Sequence, residues 1–150
     1  MKVFPFRAWR PPPALVERVS SVPYDVVDLA EARAVAADNP SSFLRVTRPD
    51  IDLPDDASAE AQVEQAIRQF ENFRSNGFLE QDPLPQFYAY EQCMGSHSQT
   101  GIVACCHADD YDAGVIRKHE HTRPDKEEDR VRHIHALGAH TGPVFLTYPD

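Results

Sequence analysis

The side chains best suited to chemistry crowd into one stretch, Arg117-Lys118-His119-Glu120-His121-Thr122-Arg123-Pro124-Asp125-Lys126-Glu127-Glu128-Asp129-Arg130-Val131-Arg132-His133-Ile134-His135. Six basic residues (Arg117, Lys118, Arg123, Lys126, Arg130, Arg132) stand there among five acids (Glu120, Asp125, Glu127, Glu128, Asp129). Five of the chain's seven histidines lie between Arg117 and His140. Three outcomes suit such a mixture. Lys118, His119, Arg123, Lys126 and Arg130 can neutralise an anion or phosphate while the carboxylates handle a metal or a proton. In extended backbone, His119-x-His121 turns both rings to one side, as a transition-metal ion needs, whereas His133 and His135 on a helix diverge by about 200°. The third outcome is a solvated helix laced by ion pairs at three- and four-residue spacing.

Which outcome holds depends on the element that carries these groups. The pattern predicts a helix from about Pro124 to Leu137, ended by Gly138. Thr122 with Asp125 three residues on forms a broad capping box, and Pro124 suits the first turn. Val131, Ile134 and Leu137 are the expected buried stripe, while Lys126, Arg130 and His133 share another face. The helix amino end then aims N–H groups at the loop holding His119, Glu120, His121 and Thr122, a favourable place for a phosphate.

The remaining elements read as a small α+β domain. A helix from Ser58 to Asn76 shows Val63, Ala66, Ile67, Phe70 and Phe73 at helical spacing, with Ser58 as cap and Gly77 as stop. Shorter helices are expected from Ala14 to Val19 and from Leu29 to Asp38, the latter capped by Asp28. Strands are expected over Phe43–Thr47, Gln86–Cys93 and Thr100–His107. The last two form an antiparallel hairpin across the five-residue loop Met94 to Ser98, with a terminal strand over Val144-Phe145-Leu146-Thr147-Tyr148. Thr47 to Ala57 reads as a solvated acidic loop that lacks the glycine and final Glu of a calcium loop. The expected fold is a mixed or antiparallel sheet with a central hairpin and three to four helices. It has no internal boundary, and a core strand reaching Asp150 suggests an incomplete domain.

Composition narrows the class. The chain has 150 residues, 15 basic against 24 acidic, for a net charge of −9. Such acidity disfavours general nucleic-acid binding, which needs clustered Lys and Arg. No apolar run approaches the roughly 20 residues of a membrane span, and no apolar block follows Met1-Lys2 as a secretion signal requires. Three cysteines, two of them adjacent (Cys105-Cys106), make a poor disulfide framework and fit a reducing cytoplasm. Mid-strand placement turns one of these thiols to each side, one of them into the core, which gives little support to a Cys–His dyad. Gly101, Gly114, Gly138 and Gly142 are isolated, so no phosphate-cradling glycine loop is present.

Several segments together resemble a known family. These are Pro5-Phe6-Arg7-Ala8, Val22-Pro23-Tyr24-Asp25-Val26, Asn39-Pro40-x-Ser42-Phe43-Leu44, Arg48-Pro49-Asp50-Ile51-Asp52 and Thr100-Gly101-Ile102-Val103. They are followed by His119-Glu120-x-Thr122-Arg123-Pro124-Asp125-Lys126-Glu127-x-Asp129-Arg130 and Gly142-Pro143-Val144-Phe145-Leu146-Thr147-Tyr148. In this order they look like the amino-terminal part of the bacterial and archaeal domain-of-unknown-function family 1015. Full members are more than twice this length. Downstream they carry an Asp-Gly-His-His-Arg type motif similar to the phosphate-binding motif of the ParB/sulfiredoxin-like superfamily, which includes free-serine kinases. No such motif occurs in this sequence. The resemblance implies nucleotide or phosphate-ester chemistry for the whole protein, with serine or phosphoserine as an analogy for the metabolite.

The residue pattern and the resemblance converge on the same groups. As catalytic residues they give Glu120, Asp125 and His119. As ligand-binding residues they give Lys118, Thr122, Arg123, Lys126, Arg130 and His133. Glu120 and Asp129 are the candidate metal ligands, for Mg2+ carried with a nucleotide. Tyr24 and Asp25 either join that cleft or form a buried corner. The expected partner is a small phosphorylated metabolite or nucleotide, with no membrane and no general nucleic acid. The rival reading is a non-catalytic nucleotide-binding module, and a third is a fragment inactive alone.

Overall fold

The structure is a computed structural model and describes residues 1–118 and 122–147, while the Asp125 side chain falls outside the description. In chain order its elements are β1 (Val3–Phe4), β2 (Trp9–Arg10), α1 (Val16–Val19), α2 (Leu29–Ala36), α3 (Leu44–Thr47), α4 (Ala59–Ser75), β3 (Glu80–Gln81), β4 (Tyr88–Met94), β5 (His97–Val103), β6 (Cys105–Cys106), α5 (Ala108–Asp112) and α6 (Pro124–Leu137). Single 3-10 turns cover Pro13–Leu15 and Pro49–Asp52. The class is α+β, with short antiparallel sheets of two strands each. Six helices are present among the described residues. The additional ones, α3 and α5, are about one turn long.

Two compact units emerge, Met1–Trp9 with Gln81–Thr122 and Arg10–Glu80 with Arg123–Asp150. Every residue that is buried among those described lies in the second unit. Its centre is the amphipathic helix α4, whose Ala66, Phe70 and Phe73 are buried as the periodicity predicts. Ser58 Oγ accepts from Ala61 N–H at the start of this helix, and Gly77 takes positive φ after its end. Phe73 meets Phe43 and Phe78 edge-on at centroid distances of 5.9 and 5.4 Å. Helix α4 packs on α3, α6 and the Pro49–Asp52 turn. Beside it, Ala32, Ala36, Leu44 and Ile51 form a cluster flanked by Val27 and Leu29. Asp28 and Glu31 form a reciprocal capping box at the start of α2.

The segment expected as the strand Phe43–Thr47 is helical. A buried strand needs a neighbour to pair its N–H and C=O groups, and here its neighbours are helices. The backbone closes on itself instead, with Val46 and Thr47 N–H both donating to the Phe43 carbonyl and Arg48 N–H to that of Leu44. Burial of Leu44, Val46 and Thr47 then overrides the β-branched preference for strands.

The acidic segment that follows is tied down by arginines rather than freely solvated. Arg33 pairs with Asp55 and donates to the Ile51 and Leu53 carbonyls. Arg45 pairs with Asp52 and donates to the Ala36 and Asn39 carbonyls. Arg48 pairs with Asp50. Residues Pro143 to Thr147 form no strand, and Val144 and Phe145 are exposed; Tyr148 lies outside the described residues.

In the first unit, β4 and β5 form the expected hairpin with a tighter turn. Met94 pairs with His97, so only Gly95 and Ser96 bridge the strands, and Gly95 has φ 62°. The predicted Thr100–His107 strand is broken at Ala104, after which β6 pairs antiparallel with β1. Both Cys105 and Cys106 are exposed, so neither thiol is in a core. Two-stranded pairing leaves both sheet faces uncovered within this unit, and no described residue of the unit is buried.

Candidate functional site

Helix α6 runs from Pro124 to Leu137 and ends in a left-handed Gly138 whose N–H returns to the Ile134 carbonyl. Its start differs from the expected Thr122–Asp125 box. Arg123 occupies the cap position and its side chain makes no cap hydrogen bond, while the Asp125 side chain of the expected box lies outside the described residues. Pro124 has no N–H, and the Lys126 N–H is used by the Arg123 carbonyl at 3.1 Å. The helix end therefore offers a dipole but fewer free amides than the sequence suggested.

The buried face of α6 is also rotated from the expected one. Val131 is 47% exposed, whereas His133 is 4% exposed and Arg130, Ile134 and Leu137 are partly buried. The packed stripe is thus 130, 133, 134 and 137, with polar residues in its first two positions. Specific partners make this rotation favourable. The Arg130 guanidinium lies 4.3 Å over the Tyr24 ring. Its Nε and Nη2 donate to one Asp129 carboxylate oxygen at 3.1 and 2.6 Å. His133 Nε2 lies 2.9 Å from the Val46 carbonyl oxygen on α3. A carbonyl only accepts, so Nε2 carries the proton. Burial away from water lowers the His133 pKa; the Val46 carbonyl opposes this in part, and the weaker effects of the Arg130 and Asp129 charges act in opposite directions.

Tyr24 is placed by a second arginine. Arg48 Nη1 donates to the carbonyls of Tyr24 (3.0 Å) and Val27 (2.8 Å), while Nε and Nη2 engage the Asp50 carboxylate. Hydrogen bonding to Asp50 raises the Arg48 pKa further, so the clamp is permanently charged. Three sequence segments far apart in the chain, Val22–Val26, Arg48–Asp52 and the middle of α6, thereby meet at one corner.

Among the described residues, two nitrogens at this corner, Arg130 Nη1 and His133 Nδ1, are buried from solvent and meet no hydrogen-bond partner. Buried polar atoms are paired in more than about nine cases in ten, so two on adjacent turns of one helix are uncommon. Chemically, Arg130 Nη1 is a charged donor held in place by Asp129 and the tyrosine face. Neutral His133 offers Nδ1 as an acceptor.

The other expected site residues are distributed as follows. Lys126 is on the first turn of α6 with its side chain exposed, and Arg123 at the cap position is exposed and has interactions of its own. Asp125 is in the same turn, but its side chain lies outside the described residues, as do His119, Glu120 and His121 entirely. Lys118 and Thr122 belong to the other unit, where Lys118 Nζ sits 4.6 Å over the Tyr111 ring. Asp129, a candidate metal ligand, spends its carboxylate on Arg130. Among the described residues no three His, Cys, Asp or Glu side chains are grouped to hold a metal ion. Glu120, the other candidate Mg2+ ligand, lies outside the described residues. Asp25 is exposed, and His135 points away from His133 to solvent. Sequence reasoning missed the Val46 carbonyl and the Arg48 clamp. A backbone carbonyl leaves no mark in side-chain type, and Arg48 read as part of a loop.

Among the described residues, no helix is long and apolar enough to cross a membrane. A family model described as "Protein of unknown function (DUF1015)" matches residues 3–150. No curated protein and no solved structure matches the chain.

Proposed function

Because the chain belongs to the DUF1015 family, we propose that the corner built by α6, Tyr24 and Arg48 is the ligand-anchoring site of a cytoplasmic enzyme that handles a phosphate ester or nucleotide. The reaction class is phosphoryl transfer to or from a small metabolite, with serine and phosphoserine as the first compounds to try. One observation carries this reading. Arg130 is fixed on one edge by Asp129 and on its face by Tyr24, and among the described residues its buried Nη1 meets no partner. A guanidinium pre-oriented in this way recognises phosphate or carboxylate oxygens at little entropic cost. Lys126, one turn toward the positive end of the helix dipole, adds charge on the approach. In phosphoryl transfer these cations neutralise the transferring group, and Glu120, Asp125 and His119 are the candidates for accepting a hydroxyl proton.

Thermal unfolding with millimolar inorganic phosphate, phosphoserine, ATP, ADP or CTP, with and without Mg2+, tests the reading. A ligand present at one hundred times its Kd adds about 2.7 kcal/mol to stability. A rise in Tm with at least one phosphate compound, lost in Arg130→Met, is the expected result. Equal melting in all of them removes the phosphate reading. Turnover across small hydroxyl acceptors separates an enzyme from a binding module.

A further inference from the structure

A cavity of about 220 Å3 opens between α2, α3 and the Pro49–Asp52 turn, lined by Arg33, Ala36, Ala37, Arg45, Ile51 and Asp52. Its two guanidiniums are fixed by backbone carbonyls. Arg33 donates to those of Ile51 and Leu53 at 3.1 and 2.7 Å, and Arg45 to those of Asn39 and Ala36 at 3.3 and 2.7 Å. Each also pairs with a carboxylate, Arg33 with Asp55 and Arg45 with Asp52. Among the described residues, Arg45 uses one hydrogen of each nitrogen, so Nη1 and Nη2 both keep a second one to donate. Asp52 accepts from Arg45 through Oδ1 and from Gln69 Nε2 through Oδ2 at 3.3 Å, which leaves lone pairs on both oxygens. The carboxyl end of α2 reaches the same wall at Ala36 and Ala37, and the negative pole of its dipole lies there. The Arg33 side chain is 37% exposed and that of Arg45 17%, so solvent enters on the Arg33 side.

The cations here, Arg33 and Arg45, are balanced by Asp52 and Asp55, so a ligand of a single sign gains little net attraction. A molecule carrying both signs gains twice. Its carboxylate accepts the remaining Arg45 hydrogens, and its ammonium donates to Asp52 and to the last carbonyls of α2. Ala36, Ala37 and Ile51 supply an apolar side. The volume lies below the roughly 300–1,000 Å3 of pockets that take larger ligands. We infer that this cavity binds a small zwitterion, an α-amino acid with a short aliphatic side chain. It shares no lining residue with the α6 corner and does not depend on the phosphate reading.

Proton–nitrogen correlation NMR with three probes reads this directly: L-valine, isobutylamine (valine without its carboxylate) and isovalerate (valine without its ammonium). Saturable shifts are expected with valine at the Ala36, Ala37 and Asp52 amides. Each singly charged analogue should bind at least about tenfold more weakly, since it forgoes hydrogen bonds between charged groups. Arg45→Met should weaken valine binding by a similar factor, but it also removes bonds that hold α2 to α3. Ala37→Leu is therefore the deciding variant. Position 37 has right-handed helical backbone that leucine adopts readily, and the larger side chain fills the cavity while every arginine bond stays in place. Valine shifts should vanish in Ala37→Leu while its circular dichroism spectrum matches that of wild type. Absence of saturable shifts with valine on the wild type overturns the zwitterion site. So does binding of either analogue as tight as that of valine, or valine binding that survives in Ala37→Leu.

Discussion

Replacing Arg48 by alanine should destabilise the chain far more than an exposed arginine would. Its side chain is 18% exposed, and that of its Asp50 partner 26%. Two backbone carbonyls, Tyr24 and Val27, lose a charged donor at 3.0 and 2.8 Å. Such bonds contribute roughly 1.5 kcal/mol each at the lower end of their range, since water can reach part of this turn. The partly buried ion pair with Asp50 contributes about 1 kcal/mol more. The sum, about 4 kcal/mol, is a large share of the roughly 5–15 kcal/mol that holds a domain together. Urea denaturation followed by far-ultraviolet circular dichroism measures it, and Tm should fall by about 10 °C. Arg48→Lys should recover only the Asp50 contact, about 1 kcal/mol, because one ammonium cannot span two carbonyls and a carboxylate. Adding Asp50→Asn to Arg48→Ala should cost little more, because the two residues act as a unit. An Arg48→Ala protein that melts within about 2 °C of wild type, or full rescue by lysine, would refute the clamp.

Two further outcomes follow from the same packing. His133 has a pKa below the ordinary 6.5 in the folded chain, so the unfolded state binds more protons between the two values. Its contribution is fully present above pH 6.5 and is lost as pH falls through 6.5 toward the folded value, at about 1.4 kcal/mol per unit of separation. Urea midpoints measured from pH 8 to pH 5 should fall more steeply for wild type than for His133→Leu, and parallel curves would contradict this. Phe73→Ala empties a site only 1% exposed and should cost about 3–5 kcal/mol by the same denaturation. A loss below about 1 kcal/mol would mean that the Phe43–Phe73–Phe78 cluster does not hold the helices together.

Periodicity made the helical half legible. The stripe of α4, its Ser58 cap and Gly77 stop, the Asp28 cap of α2 and the Pro124–Leu137 span of α6 all follow from local patterns. The strand expected at Phe43–Thr47 failed because a short apolar run does not say whether its neighbours are strands or helices. The face of α6 was misread for a related reason. Val131 is the more apolar residue, yet Arg130 and His133 are turned inward by a tyrosine ring, an adjacent aspartate and a carbonyl that come from elsewhere in the chain or lie off the helical repeat. The identities of Arg130 and His133 as candidate binding residues were legible from the charged window. Their unpaired nitrogens were not, because hydrogen-bond satisfaction is a property of the assembled corner.

A proton–nitrogen correlation NMR titration with inorganic phosphate tests the anchoring site most directly. Saturable shifts are expected at the Asp125 and Lys126 amides, the Arg130 guanidinium and the His133 ring, with the amides of the β4–β5 hairpin unmoved and the response abolished in Arg130→Met. No saturable shift at α6, or the same shifts in Arg130→Met as in wild type, would contradict the assignment of this corner to a phosphate-bearing ligand.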